Sequence, residues 1–163
     1  MILGVIPARL NSTRFPSKVI FPLKGKPIIE HVYDKALQSD LLSKVIVAVD
    51  SEETKNVINC QNIIMTSDKH QSGTDRVAEV ANNFNCDIVV NIQGDEPGID
   101  PLLIDKLIQL FEDPDVEMAS IASTDLKEDD LNNDNVVKVN LDKENNAISF
   151  VRNNLNPDLT YYR

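Results

Sequence analysis

Short apolar runs alternate along the chain with segments in which apolar residues recur at helical spacing. The runs have the length of strands and lie at 2–7, 44–50, 87–92 and 117–123, with a shorter run at 63–65. Continuous apolar runs of this length predict strands that are covered on both faces of a sheet. The segments with helical spacing are Pro27–Ser39, Ser51–Asn59, Gly73–Asn83 and Pro101–Glu112.

Local signals support these helices. Pro27 and Pro101 lie where the first turn of a helix tolerates proline, and Ser51 resembles an N-cap residue directly after a predicted strand. Alternating strands and helices imply parallel strands that are joined by right-handed crossovers. The sequence therefore predicts an α/β fold for residues 1–125, a three-layer α/β/α sandwich with a mostly parallel, Rossmann-like sheet.

The pattern changes after about residue 125. Residues 125–135 are acidic and polar, which predicts a surface connection. The apolar runs at 136–142 and 146–152 enclose a short polar segment and predict a β-hairpin. We expect residues 126–163 to be an extension of the same domain.

Composition narrows the class of protein. The net charge of −10 argues against a nucleic-acid partner, because nucleic-acid binding needs a basic face. No apolar run approaches the ~18–20 residues of a membrane span. Residues 1–7 have no basic leader, so we read them as a strand and expect a cytoplasmic protein without a membrane partner. Cys60 and Cys86 have neither metal-ligand spacing nor a disulfide framework and are expected to be structural thiols.

The basic residues of this acidic protein are unevenly distributed. One stretch without acids contains Arg9, Arg14, Lys18, Lys24 and Lys26. Such an island suits a small polyanion better than a long nucleic acid. The alternative is an ordinary solvated loop.

Three polar, charged segments follow predicted strands, at 8–18, 66–76 and 93–99. Ligands of open α/β sheets bind beyond the carboxyl ends of the strands. The sequence therefore predicts that these three segments converge on one site.

The first segment has the chemistry of a phosphate site without a glycine-rich fingerprint. Arg9, Arg14 and Lys18 supply cationic donors, and Ser12 and Thr13 supply hydroxyls. These side chains can bind the triphosphate group of a nucleotide.

The second segment, at 93–97, has Gly94 for a sharp turn and Asp95 for a metal. A carboxylate at this edge can hold Mg²⁺ against phosphate oxygens, and a plain turn is the alternative.

The third segment carries Ser72 and Thr74 as possible helix caps, and Gly73 as a place where a base or ribose can approach. Asp75 and Arg76 are adjacent, so we expect only one of them to face the site. A proton-transfer role for His70 is not expected, because phosphoryl transfer depends mainly on positioning and charge stabilisation.

Together the segments resemble the sugar-acid cytidylyltransferases, most closely the 3-deoxy-manno-octulosonate (KDO) cytidylyltransferase family. Five blocks carry the resemblance in order: IPARLNSTRFPSK, GKPIIEHV, TSDKHQSGTDRVAEV, VNIQGDEP and NNDNVVKVNLD. The resemblance implies the nucleotide-diphospho-sugar transferase type of fold. It also implies that CTP and a keto-sugar acid give a CMP-sugar and pyrophosphate with Mg²⁺ as cofactor, for lipopolysaccharide or surface polysaccharide synthesis.

The resemblance also implies roles for individual residues. The implied contacts are Arg9, Ser12 and Lys18 for the triphosphate; Ser72, Gly73 and Arg76 for the nucleotide; Arg14 and Gln93 for the sugar acid; and Asp95 for Mg²⁺. Of these, Arg9, Lys18 and Asp95 are the expected catalytic residues.

The sequence departs from the family pattern in three places. Ser17 stands where the family has glycine, and the neighbours of Arg152 differ, which leaves a sialic-acid-like sugar or 8-amino-KDO open as substrate. The chain ends at Arg163, before the segment that supplies a second metal-binding carboxylate in the family. We therefore expect CTP binding with weak or absent synthesis by this chain, a CTP-binding module being the alternative. The resemblance implies that residues 1–125 bind the nucleotide and that residues 126–163 begin a sugar-binding and dimerisation extension. It also implies a homodimer through the 140s–160s at full length.

Overall fold

Three of the predicted apolar runs form a parallel sheet together with the short run at 63–65. The computed structural model describes residues 1–9, 17–156 and 158–163. In chain order the strands are β1 Ile2–Ala8, β2 Pro22–Leu23, β3 Lys26–Pro27, β4 Lys44–Val49, β5 Ile63–Met65, β6 Ile88–Asn91, β7 Lys138–Leu141, β8 Ala147–Val151 and β9 Tyr161–Tyr162. The main sheet has the order β5-β4-β1-β6, and all its pairs are parallel. The predicted parallel sheet is confirmed.

The predicted helices are also present. They are α1 Ile28–Ala36, α2 Glu52–Val57, α3 Gly73–Ala81 and α4 Pro101–Gln109, followed later by a short α5, Glu128–Leu131. Ser51 caps α2 by accepting a hydrogen bond from the backbone N–H of Thr54, and Pro101 opens α4, both as predicted. Pro27 lies one residue ahead of the first turn of α1, as its N-cap.

The core lies on both faces of the main sheet. On one face, α1 and α4 place Ile29 and Ile104 in a buried cluster with Ile6 of β1. On the other face, α3 places Val77 and Val80 against other residues of β1 and β4. Helices on both faces confirm the three-layer α/β/α sandwich.

The strand predicted at 117–123 is wrong. The structure assigns no strand there, and the segment is largely exposed, with 88% of Met118 accessible to solvent. Among the described residues, Ser123 of this segment exchanges backbone hydrogen bonds with Arg163. Apolar composition makes a strand possible, but a strand forms only where a partner backbone takes up its N–H and C=O groups.

The chain forms two compact units, Met1–Glu117 and Met118–Arg163. The second unit contains the predicted hairpin, formed by β7 and β8, and its sheet has the order β8-β7-β9. The strand β9 has no signal in the sequence pattern. The functional division predicted at residue 125 stays a prediction.

Two cations organise the second unit. The ammonium of the fully buried Lys138 and the guanidinium of Arg152 bind four consecutive backbone carbonyls, those of residues 133–136. Lys138 also donates to the carbonyl of Arg152 itself. These bonds therefore fix backbone segments that lie outside the helices and strands of this unit.

In the part of the chain that the structure describes, no helix is long and apolar enough to cross a membrane.

Candidate functional site

Pro7, near the carboxyl end of β1, is the point at which two other segments meet. A Cβ built on Gly94 would lie 2.9 Å from the carbonyl oxygen of Pro7, and one built on Gly73 would lie 3.4 Å from its Cγ. Neither glycine has a positive φ, so each serves close packing and not an unusual backbone conformation. The predicted turn at Gly94 is present, but its physical reason is this close approach. Among the described residues, the segments at 66–76 and 93–99 therefore both approach the carboxyl end of β1, the strand that precedes the segment at 8–18.

Lys18 and Asp95 come together at this end of the sheet. The Nζ of Lys18 lies 2.8 Å from Oδ2 of Asp95, although 77 positions separate the two residues. Their side chains are 43% and 40% exposed, so both are open to a ligand. An ion pair this exposed contributes about 0–1 kcal/mol, and phosphate or a metal ion can therefore displace it at little cost.

Ser17, directly before Lys18, is held in a left-handed conformation. Its φ is 59° and its ψ is 21°, a region that glycine occupies freely and other residues occupy at a cost of about 1–2 kcal/mol. The backbone conformation at this position is therefore the one that glycine would adopt without strain.

The structure describes Arg9 but not the hydroxyl residues of the predicted phosphate segment. Arg9 is exposed just after β1. Ser12, Thr13 and Arg14 lie outside the described residues, so their predicted contacts stay predictions.

Ser72 caps α3 in a capping box with Asp75. The Oγ of Ser72 accepts from the backbone N–H of Asp75, and the carboxylate of Asp75 accepts from the N–H and the hydroxyl of Ser72. These reciprocal hydrogen bonds make Ser72 the N-cap residue of α3. A nucleotide contact at Ser72 or Gly73 stays a prediction.

Arg76 points into the protein, with 2% of its side chain exposed. It donates to the hydroxyl of Thr66, to the carbonyl of Ser67 and, at 3.2 Å, to the carboxylate of Asp50. The guanidinium thus ties the residues after β4 and β5 to α3. Breaking a buried pair of this kind costs about 3–5 kcal/mol, so Arg76 supports the site whether or not it touches a nucleotide.

Glu79 and His70 form a further pair that sequence reasoning missed. One carboxylate oxygen of Glu79 accepts from the His70 ring and, at 3.0 Å, from the backbone N–H of Ser67. The bond from His70 and then that from Ser67 hold the pKa of Glu79 below its ordinary value. Ser72, Arg76 and Glu79 share the i, i+4, i+7 spacing of one helix face, a signal that could have pointed to Glu79 but not to His70, which precedes the helix.

Gln93 and Asp95 both follow β6. Gln93 is exposed, and its amide lies 3.5 Å from the side-chain oxygen of Asn91. Within the described ranges, no three His, Cys, Asp or Glu residues are grouped to hold a metal. Asp95 is a single carboxylate, which fits Mg²⁺ because this ion takes most of its ligands from phosphates and water.

Neither cysteine forms a disulfide, and both are half-buried. Burial, reinforced by the carboxylates of Glu30 and Asp34, raises the pKa of Cys60 to about 12. Its thiol is therefore un-ionised at neutral pH, as expected of a structural cysteine.

Comparison with known proteins adds independent information. The family model of the cytidylyltransferases matches residues 3–158. The 3-deoxy-manno-octulosonate cytidylyltransferase of Trichlorobacter lovleyi is 44% identical over 157 residues, which cover 94% of this chain and 62% of that protein. The enzyme of the same name from Solibacter usitatus is 44% identical over 154 residues, covering 93% of this chain and 61% of that protein. The chain thus spans a little over three-fifths of these curated relatives.

A solved structure extends the similarity to the fold. A CMP:2-keto-3-deoxy-manno-octonic acid synthetase complexed with CTP superposes with a TM-score of 0.87 at 34% identity, covering 99% of this chain and 69% of that one. Its nucleotide-sugar transferase fold is the one that the sequence predicted. The matched residues include every predicted site residue from Arg9 to Asp95. The chain belongs to the cytidylyltransferase family.

Proposed function

We propose that this chain binds CTP and forms the nucleotide-binding part of a 3-deoxy-manno-octulosonate cytidylyltransferase. The observation that carries the proposal is the 2.8 Å approach of Lys18 to Asp95 at the carboxyl end of the parallel sheet. A cation for phosphate and a carboxylate for a metal are thereby adjacent where α/β sheets bind ligands. The names of the matching relatives support CTP as the nucleotide and KDO as the sugar acid.

The chain's own residues would act mainly through charge and position. Lys18 and Arg9 would neutralise the triphosphate, and Ser12 and Thr13 would add hydroxyl donors. Asp95 would hold Mg²⁺. The bound ion would neutralise negative charge on the departing pyrophosphate. Ser72, Gly73 and Arg76 would form or support the nucleotide pocket.

The proposed reaction is a nucleotidyl transfer. The anomeric hydroxyl oxygen of the sugar acid forms a bond to the α-phosphorus of CTP, and the bond from that phosphorus to the bridging oxygen breaks. Pyrophosphate leaves with the electron pair, and the hydroxyl proton passes to solvent. Arg14 and Gln93 would orient the sugar acid. The reaction would take place in the cytoplasm, where CTP is available, and would supply surface polysaccharide synthesis.

A homodimer is part of the proposal. Ile148 and Phe150 belong to the edge strand β8, and they are 63% and 59% exposed. Covering two large apolar side chains would stabilise an association between copies. Sedimentation of the native protein and of Phe150→Asp tests this. A dimer that the substitution dissociates is expected, and a native monomer contradicts it.

CTP binding tests the nucleotide site directly. Titration calorimetry with CTP and Mg²⁺ should show binding by the native chain. Lys18→Ala should weaken it about 10- to 100-fold, as expected when a charge-assisted hydrogen bond is lost. Asp95→Asn should weaken binding with Mg²⁺ far more than with EDTA, because the carboxylate acts through the metal.

The matched control is Lys55→Ala. Lys55 forms an exposed ion pair with Glu52 in α2, as Lys18 does with Asp95, but outside the proposed site. Its loss should leave CTP affinity unchanged. Equal effects of the two lysine substitutions would contradict the proposed site.

Turnover separates the enzyme from a binding module. Pyrophosphate release is measured with CTP, Mg²⁺ and, in turn, KDO, 8-amino-KDO and sialic acid. Release with KDO supports the proposal, and preference for another acid replaces KDO as the substrate. CTP binding without release for any acid indicates a CTP-binding module.

A further inference from the structure

The segment at 66–72 links β5 to the first turn of α3, beside the predicted nucleotide contacts. Two side chains on one face of α3 form hydrogen bonds with this segment. Arg76 donates to the carbonyl of Ser67, and Glu79 accepts from the N–H of the same residue. Both backbone groups of Ser67 are therefore bound by helix side chains.

His70 completes this arrangement. Its ring bonds to the Glu79 oxygen that also accepts from Ser67, so one carboxylate holds the segment at two points. The His70 side chain is 22% exposed and Glu79 is 37% exposed, so water competes only partly with these bonds. Beyond His70 the chain enters the Ser72 cap and reaches Gly73, which packs on Pro7.

We infer that His70 and Glu79 are positioning residues that hold the 66–72 segment in the shape that binds the nucleotide. The inference rests on the proposed function and adds two residues to its site. Neither side chain needs to touch CTP. Their pairing fixes the backbone that leads into the predicted contacts at Ser72 and Gly73, so CTP no longer has to order that backbone when it binds.

Substitutions at both positions test the inference. His70→Ala should weaken CTP binding by about 2- to 10-fold, because the segment loses one hydrogen-bond anchor. His70→Gln keeps an N–H donor and should restore most of the affinity. Glu79→Gln keeps an acceptor oxygen but turns both bonds into weaker neutral ones, so it should also weaken binding. In each weakened variant, amide hydrogen exchange of residues 66–72 should be faster than in the native chain.

Glu30→Gln is the matched control. Glu30 of α1 accepts from the backbone N–H of Asn59 at 2.8 Å, as Glu79 accepts from Ser67, but it anchors a different loop. Its substitution should leave CTP affinity unchanged, even if the melting temperature falls as it does in Glu79→Gln. Equal losses of affinity in Glu30→Gln and Glu79→Gln would reduce the pair to a general structural role and overturn the inference.

The two proposals fail in different ways. If the native chain and His70→Ala bind CTP equally well, the positioning role is wrong and the proposed function stands. If the native chain binds no CTP, the proposed function is wrong and the positioning role falls with it. Failure of His70→Gln to recover affinity would also overturn the role assigned to the hydrogen bond.

Discussion

Replacing Gly94 by alanine tests whether close packing on Pro7 positions the candidate site. The added Cβ would lie 2.9 Å from the Pro7 carbonyl oxygen, closer than Cβ atoms normally approach. Retreat is limited, because Ile6 and Ile29 carbons already lie 3.4 and 3.6 Å from the same Cβ position. The backbone must therefore shift by a few tenths of an ångström, and over-packing of this kind costs about 1–3 kcal/mol.

Thermal unfolding measures this cost. At about 2–4 °C per kcal/mol for a chain of this size, Gly94→Ala should melt about 2–12 °C below the native protein. The shift also moves Asp95, so affinity for CTP with Mg²⁺ should fall as well. The measurements are a melting curve by circular dichroism and a CTP titration on the same sample.

Gly98→Ala is the control for the general effect of adding a methyl group. A Cβ on Gly98 would meet no atom within 4 Å, and its φ is not positive. This variant should melt at or slightly above the native temperature, because alanine restricts the unfolded chain. If Gly94→Ala has the same melting temperature as Gly98→Ala and binds CTP with native affinity, the close approach to Pro7 does not position the site.

Two further predictions concern stability. Ser17→Gly should stabilise the protein by up to about 1 kcal/mol, because glycine adopts the left-handed backbone without strain. Ser17→Ala should bring no gain in stability. Chemical denaturation of the native protein and the two variants measures the difference. The second prediction concerns the carboxylate of Asp105, which is buried. Burial alone would raise the pKa of Asp105. Hydrogen bonds from Ser39 and from the N–H groups of Asp40 and Leu41 outweigh the effect of burial, so the pKa lies below its ordinary value. A lowered folded-state pKa gives stability that is present above the unfolded-state value of about 3.9 and is lost as the pH falls through the folded-state value. Asp105→Asn should therefore be about 1–3 kcal/mol less stable at pH 7, with a difference that shrinks in denaturation at acidic pH; a difference independent of pH contradicts this role of the carboxylate.

The pattern of apolar residues was sufficient for most of the fold. β1, β4, β6 and α1–α4 lie close to their predicted ranges, because periodic burial and capping depend on residues a few positions apart. The prediction failed at 117–123, where the composition is suitable but the structure assigns no strand, and the backbone pairing seen among the described residues is that of Ser123 with Arg163. Strand formation depends on a neighbouring backbone, which composition does not specify.

Some features of the candidate site could likewise be predicted from the sequence, and others could not. The sequence alone indicated which segments supply cations, a carboxylate and glycines, since those chemistries are properties of single residues. The roles of Arg76 and His70 were not readable from residue type, because each depends on what burial and the helix face bring near it. The same holds for Gly94, whose function is contact with Pro7.

By itself, the sequence determined a parallel α/β domain, and it predicted phosphate and metal chemistry at the ends of the strands. Only the tertiary structure decided that Lys18 meets Asp95 across 77 positions, that two glycines pack on Pro7, and that Glu79 and Arg76 hold the 66–72 segment. The physical reason is range. Helix and strand signals act over a few residues, whereas these contacts exist only after the sheet has brought distant segments to one edge.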